Sequence, residues 1–297
     1  MPDPDQARDL NRGLEAGSSA LVHRGLDLAR PTEITPDEIQ AFKDHYAAQF
    51  GVEHEGLDWW LDKSPEVLKR YRLFASLSLR VEPALMGHGY IAYYALLGFE
   101  TGVLYCVRSL QRSGLSKAQT LEAIALAFVL CGPRGMDTIA RALAGYQLED
   151  RPAAEPVFPA GWAPDTEAFQ SGIDFSDPRL TPSELDRVVA WYQSTLGEVP
   201  PYVTFLGRHR PELLKAYRNR FENTLRTLPK QMWPTTMLFF HCLTRAREGM
   251  RENVLLCRAF GVSREDTLTI IGNSLVYGDM QAAGLAEQAA GDVFAGW

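Results

Sequence analysis

The chain has 297 residues, 46% hydrophobic and 23% charged, the balance of a folded protein with enough apolar mass for a sizeable core. Its formal net charge is −7 and it has no run of Lys and Arg, which argues against a phosphate-binding surface and hence a nucleic-acid partner. Met1–Gly13 is polar with no basic segment leading into an apolar one, so no export signal is expected. No uninterrupted apolar run nears the ~20 residues of a bilayer span, so no membrane partner is expected either.

In chain order, residues 1–30 read as an N-terminal arm with one weakly helical stretch. The first helical unit is expected over 31–146. It opens on Thr35-Pro36-x-Glu38, a capping box with proline at the first helical position. Gly114 supplies a left-handed stop, and Ser116-x-x-Gln119 starts the next helix, whose Leu121, Ile124, Ala125 and Phe128 recur at helical spacing. Residues 147–178, rich in Pro, Gly, Ala and acids, read as a linker. A second helical unit is expected over 179–297, with boxes at Thr181-x-x-Glu184 and Ser263-x-x-Asp266. Alternating strand patterns are absent, so the predicted fold class is all-α, two tandem helical-bundle repeats.

The two units read as copies. At an offset of 146 residues, Thr35, Pro36 and Glu38 fall on Thr181, Pro182 and Glu184, and Tyr46 and Gly51 on Tyr192 and Gly197. The run Pro65-Glu66-Val67-Leu68-Lys69 falls on Pro211-Glu212-Leu213-Leu214-Lys215, and Tyr71-Arg72 on Tyr217-Arg218. Farther on the offset drifts by one: Gly114-Leu115-Ser116 answers Gly261-Val262-Ser263. Trp59-Trp60 answer Phe205-Leu206, and shared bulk there points to packing.

The stretch 251–293 holds Gly261-Val262-Ser263-Arg264-Glu265 and then Tyr277-Gly278-Asp279-Met280-Gln281-Ala282 ahead of an Ala-rich helix. This resembles the carboxymuconolactone decarboxylase and AhpD-like superfamily; Gly114-Leu115-Ser116 and Cys131-Gly132 match the pattern more loosely in the first copy. The resemblance implies paired helical units, homo-oligomers, and pockets between units. The chain departs from the family at its chemistry. The peroxidase branch carries C-x-x-C-x-x-x-H; here those positions are Phe99, Gly102 and Cys106 in one copy and Ala246, Gly249 and Asn253 in the other. A disulfide cycle needs two thiols in reach of each other, which neither copy has.

Candidate site residues follow from residue type. On a helix expected over 239–258, His241, Arg245, Glu248 and Glu252 form one stripe able to hold an anion and move a proton, against the alternative of a solvated face. Asn253 and Tyr277 can donate to a substrate carbonyl or simply pack. In the first copy His88 lies between glycines, followed by Tyr90, Tyr93 and Tyr94 on one face, either a polar-lined pocket or aromatic core. His88, His241 and Glu248 are the catalytic candidates. Tyr90, Tyr94, Arg134, Arg245, Glu252, Asn253 and Tyr277 are the substrate-binding ones. Metal-ligand spacings and phosphate loops are absent, so no metal and no cofactor are expected.

The four cysteines, Cys106, Cys131, Cys242 and Cys257, form no C-x-x-C pair and read as reduced thiols of a cytoplasmic protein. The function expected is a cofactor-independent lyase or decarboxylase acting on a small oxygenated organic acid, lactone or ketone. The alternatives are a single-cysteine redox protein working through Cys106 and a non-catalytic binding protein.

Overall fold

The computed structural model describes residues 22–50, 55–78, 83–150 and 158–297. They form an all-α chain whose strands, among the described residues, are the two-residue arms of one hairpin, β1 (Val22–His23) and β2 (Leu26–Asp27). Most of the expected N-terminal arm lies outside the described residues; the remainder is this hairpin. The chain divides into two compact units, 1–80 and 81–297. The division falls inside the expected first copy, not at the expected linker.

The first unit holds β1, β2 and three helices, α1 (Pro36–Phe50), α2 (Glu55–Lys63) and α3 (Pro65–Ser78). Leu26 and Leu28 pack with Phe42, Leu57, Leu61 and Leu68 as its core. The Thr35 capping box forms, with Glu38 Oε2 accepting the Thr35 N–H at 2.8 Å. Glu38 Oε1 accepts the Asp27 N–H at 2.8 Å and the fully buried Lys69 Nζ at 2.6 Å. Burial opposes ionisation of this carboxyl, but Lys69 and the two backbone donors outweigh it and hold the pKa at about 2.

The second unit holds α4 (Pro83–Leu97), α5 (Glu100–Arg112), α6 (Lys117–Leu143), a 3-10 turn (Glu167–Phe169), α7 (Pro182–Leu196), α8 (Pro201–His209), α9 (Pro211–Asn223), α10 (Met232–Thr244), α11 (Arg247–Ala259), α12 (Arg264–Ser274) and α13 (Gln281–Ala295). The later part of the expected linker is built into this core. Phe169 is buried against Phe221 and Phe260, and its carbonyl accepts Arg218 Nη2 at 2.7 Å. An aromatic side chain in a Pro- and Gly-rich stretch is enough to anchor it.

α6 is a described helix long and apolar enough to cross a membrane by length and composition, a length the uninterrupted-run criterion did not register. Within it Gly132 adopts φ +61° before Pro133, so the expected glycine–proline turn is a kink.

Local geometry recurs 146 or 147 residues apart. Glu184 accepts the N–H groups of Thr181 (2.9 Å) and Asp174 (3.1 Å). The buried Lys215 donates to Glu184 Oε1 at 2.9 Å and to the Arg179 carbonyl at 2.8 Å. Farther on, Gly98 and Arg245 both take positive φ (+75° and +58°), and Phe99 and Ala246 share one backbone conformation at the start of the next helix.

Candidate active site

α10 is buried nearly all round, from Met232 to Phe240, as expected of a helix reading MWPTTMLFFHCLT. It ends at Arg245, a left-handed cap at φ +58° where a side chain is disfavoured. The Ala246 N–H closes the turn on the His241 carbonyl at 2.9 Å, and α11 starts at Arg247. The helix expected over 239–258 is thus two helices joined by a tight turn. The single stripe does not exist as drawn, yet the hairpin brings part of it together. Gly249 of α11 lies against the His241 ring of α10: a Cβ there would sit 2.6 Å from three imidazole atoms. Arg245, at the turn itself, is exposed and ion-paired with Asp279.

His241, Glu248, Gly249 and Glu252 line a cavity of about 350 Å³. Its apolar walls come from Trp233 and Met237 of α10, Leu206 of α8, and Val129 and Leu130 of α6. Tyr202 of α8 and Tyr217 and Arg220 of α9 complete it. Proline at the first positions of α8 and α9, Pro201 and Pro211, fixes where these two helices begin. The Glu122 carboxylate holds the loop ahead of α10 by accepting the N–H groups of Arg226, Thr227 and Leu228. Trp233 is buried at the base, whereas Arg220 and Glu248 are exposed and stand at the rim.

Glu252 is the unusual group. Burial raises its pKa from the ordinary carboxyl value to about 7, opposed by the Tyr202 hydrogen bond and the Arg218 charge. Tyr202 donates to Glu252 Oε1 at 2.8 Å, and the Tyr192 and Tyr202 hydroxyls are 2.7 Å apart. The Arg218 guanidinium lies over the Tyr192 ring, 5.2 Å from its centroid. Burial also lowers the pKa of His241, so its imidazole is neutral at pH 7, and among the described residues its buried Nδ1 has no hydrogen-bond partner. A carboxyl with its pKa raised to about 7 and a neutral imidazole lining the same cavity are equipped for proton transfer.

The other candidates lie elsewhere. Asn253 is buried and its Nδ2 donates to the Gly249 carbonyl of its own helix. Arg134 is exposed. Tyr90, Tyr94 and Tyr277 pack ring to ring, with Tyr90 and Tyr277 centroids 4.7 Å apart. The Tyr90 hydroxyl is satisfied by Asn273 Oδ1 at 2.6 Å, and that of Tyr93 by the Tyr277 carbonyl at 3.3 Å. Gly89, beside His88, admits the Phe239 ring, not a ligand. His88 itself is on α4 with its side chain outside the described residues.

Cys106 is buried, and desolvation pushes its thiol well above the ordinary range. Among the described residues no group of three or more His, Cys, Asp and Glu side chains is placed to hold a metal ion.

Tyr202, Tyr217, Arg220 and Trp233 were missed by sequence reasoning. Nothing in the sequence singles out Tyr202: at the offset of 146 it falls on Gly56, in a stretch, 52–64 against 198–210, with no matching residue.

No family model, no curated protein and no solved structure matches this chain.

Proposed function

We propose that the cavity is the active site of a cofactor-independent lyase, a decarboxylase acting on a small oxygenated organic acid, lactone or ketone. The observation that carries this is Glu252, a carboxyl with a pKa of about 7 opening into an apolar-walled cavity beside a neutral imidazole. A β-keto acid illustrates the chemistry. Arg220 at the rim pairs with an anionic group, and the apolar walls take the carbon skeleton. The bond from carbon to the departing carboxylate breaks, carbon dioxide leaves, and the electron pair moves to the carbonyl oxygen. His241 donates a hydrogen bond to that oxyanion. Protonated Glu252 then delivers its proton to the carbon, and solvent restores it.

Two further features accord with this reading. The resemblance of 251–293 to the carboxymuconolactone decarboxylase superfamily is one, together with the recurring contacts that a duplicated helical unit accounts for. The four cysteines are the other: they are free and buried, as in a reduced cytoplasmic protein, where we place the chain as a homo-oligomer. The raised Cys106 thiol weighs against the redox alternative.

The test is carbon dioxide release from a panel of β-keto acids and carboxylated lactones. Turnover by the wild type, lost in Glu252→Gln, supports the assignment. A ligand that stabilises the fold in a thermal shift without being turned over would leave a binding protein instead.

A further inference from the structure

One oxygen of Glu252 is held by a chain of phenols. Each phenol has one hydrogen to give. Tyr202 gives its hydrogen to Glu252 Oε1, so its oxygen is left to accept, and the neighbour 2.7 Å away is the Tyr192 hydroxyl. The direction of the chain is thereby fixed, from Tyr192 through Tyr202 to the carboxylate. Behind it stands a permanent cation. Arg218 is fully buried, bonded through Nε to Glu222 Oε1 at 2.8 Å, and lies over the Tyr192 ring. Among the described residues no protein group bonds Glu252 Oε2, while Glu252 lines the cavity.

We propose that Tyr202 and Tyr192, backed by Arg218, are positioning residues that tie up Glu252 Oε1 and leave Oε2 as the one oxygen that carries the proton to and from substrate. This rests on the reading of the cavity as an acid–base site.

The first unit supplies an internal comparison. There Arg72 donates to the Tyr46 hydroxyl and lies over its ring at 5.3 Å, so the arginine–tyrosine pair recurs. The position 146 residues before Tyr202 is Gly56, and the one 147 before Glu252 is Tyr105. In the first unit the Tyr46 hydroxyl also accepts Arg24 Nη1 at 3.2 Å.

The test reads the Glu252 carboxyl directly, by 13C NMR titration of the full-length protein labelled at the glutamate side-chain carboxyl, with the resonance assigned by its loss in Glu252→Gln. The groups that interact with this carboxyl are Tyr192 from α7, Tyr202 from α8, and Tyr217 and Arg218 from α9; Arg220, His241 and Glu248 share its cavity. Of these, Tyr202 donates directly. Tyr202→Phe is expected to raise the midpoint by about one pH unit, because a donor that favours the charged form is gone. Tyr192→Phe is expected to raise it by less. Global replacement of tyrosine by 3-fluorotyrosine, a stronger hydrogen-bond donor, is expected to lower it and needs no variant to fold.

A midpoint that stays put or moves the opposite way in these proteins overturns the proposal. Substrate turnover reads the site and the midpoint reads the chain. A shifted midpoint in a protein that decarboxylates nothing therefore upholds the positioning chain and sinks the enzymatic reading.

Discussion

Tyr202 and Glu252, fifty residues apart on α8 and α11, meet in a hydrogen bond of 2.8 Å at the edge of an apolar-walled cavity. At offsets of 146 and 147 residues the sequence has Gly56 and Tyr105 in their places. Several outcomes follow from keeping a carboxyl in this place.

The carboxyl is held at a cost to the fold. Its folded pKa, about 7, lies above the ordinary 4.5, so the folded state binds the proton more tightly than the unfolded chain. Its contribution to stability is full below pH 4.5 and is lost as pH rises through 7. Glu252→Gln should therefore be more stable than the wild type at pH 8, by about 1–3 kcal/mol, and the difference should vanish at pH 4. Urea unfolding at the two pH values checks this.

Glu184 behaves in the opposite sense. The Thr181 N–H, and then Lys215, hold its pKa at about 2. The stability it supplies is present above pH 4.5 and drains away as pH falls toward 2. Lys215→Met leaves that carboxylate buried without its cation and should cost about 3 kcal/mol at pH 7. Denaturant midpoints of the variant and wild type measure the loss.

Gly249 is predicted to be irreplaceable by alanine. The added methyl would meet the His241 ring at 2.6 Å, and the imidazole would have to swing away. About tenfold lower turnover in a protein that still folds is the expected outcome, with a stability loss of about 1–2 kcal/mol. Steady-state kinetics and a melting curve on one preparation suffice.

The thiols should be silent. All four cysteines are free and buried, and burial raises Cys106 and Cys257 well above the ordinary range and Cys242 to about 12. Iodoacetamide at pH 8 should label none of them rapidly in the native protein and all of them in urea. Rapid native labelling of Cys106 would revive a thiol-based reaction.

The fold class was legible because capping boxes, glycine stops and helical periodicity are local signals, and Thr181 with Glu184 forms the box its spacing predicts. His241, Glu248 and Glu252 line one cavity, but not along the single stripe the sequence suggested. A continuous helix was expected, and the left-handed Arg245 that folds it into a hairpin is not a glycine, so nothing in its identity announced the turn. The same turn carries Arg245 out to Asp279, and the arginine lining the cavity is Arg220 on another helix. Three neighbouring phenols suit a pocket and a packed cluster equally well in sequence; the structure packs the rings of Tyr90, Tyr94 and Tyr277 against one another. The approach of α8 and α9 to α10 and α11 is long-range packing, to which no spacing within one segment points.

The most direct measurement of the central claim is the pH dependence of decarboxylation by the wild type beside that of Glu252→Gln. With Glu252 delivering the proton, the wild-type rate holds below pH 7 and falls above it, and the glutamine variant is slower by at least about 100-fold below pH 7, the gap narrowing as pH rises. A variant that turns over at the wild-type rate with the same pH profile would contradict the assignment of this cavity as the catalytic site.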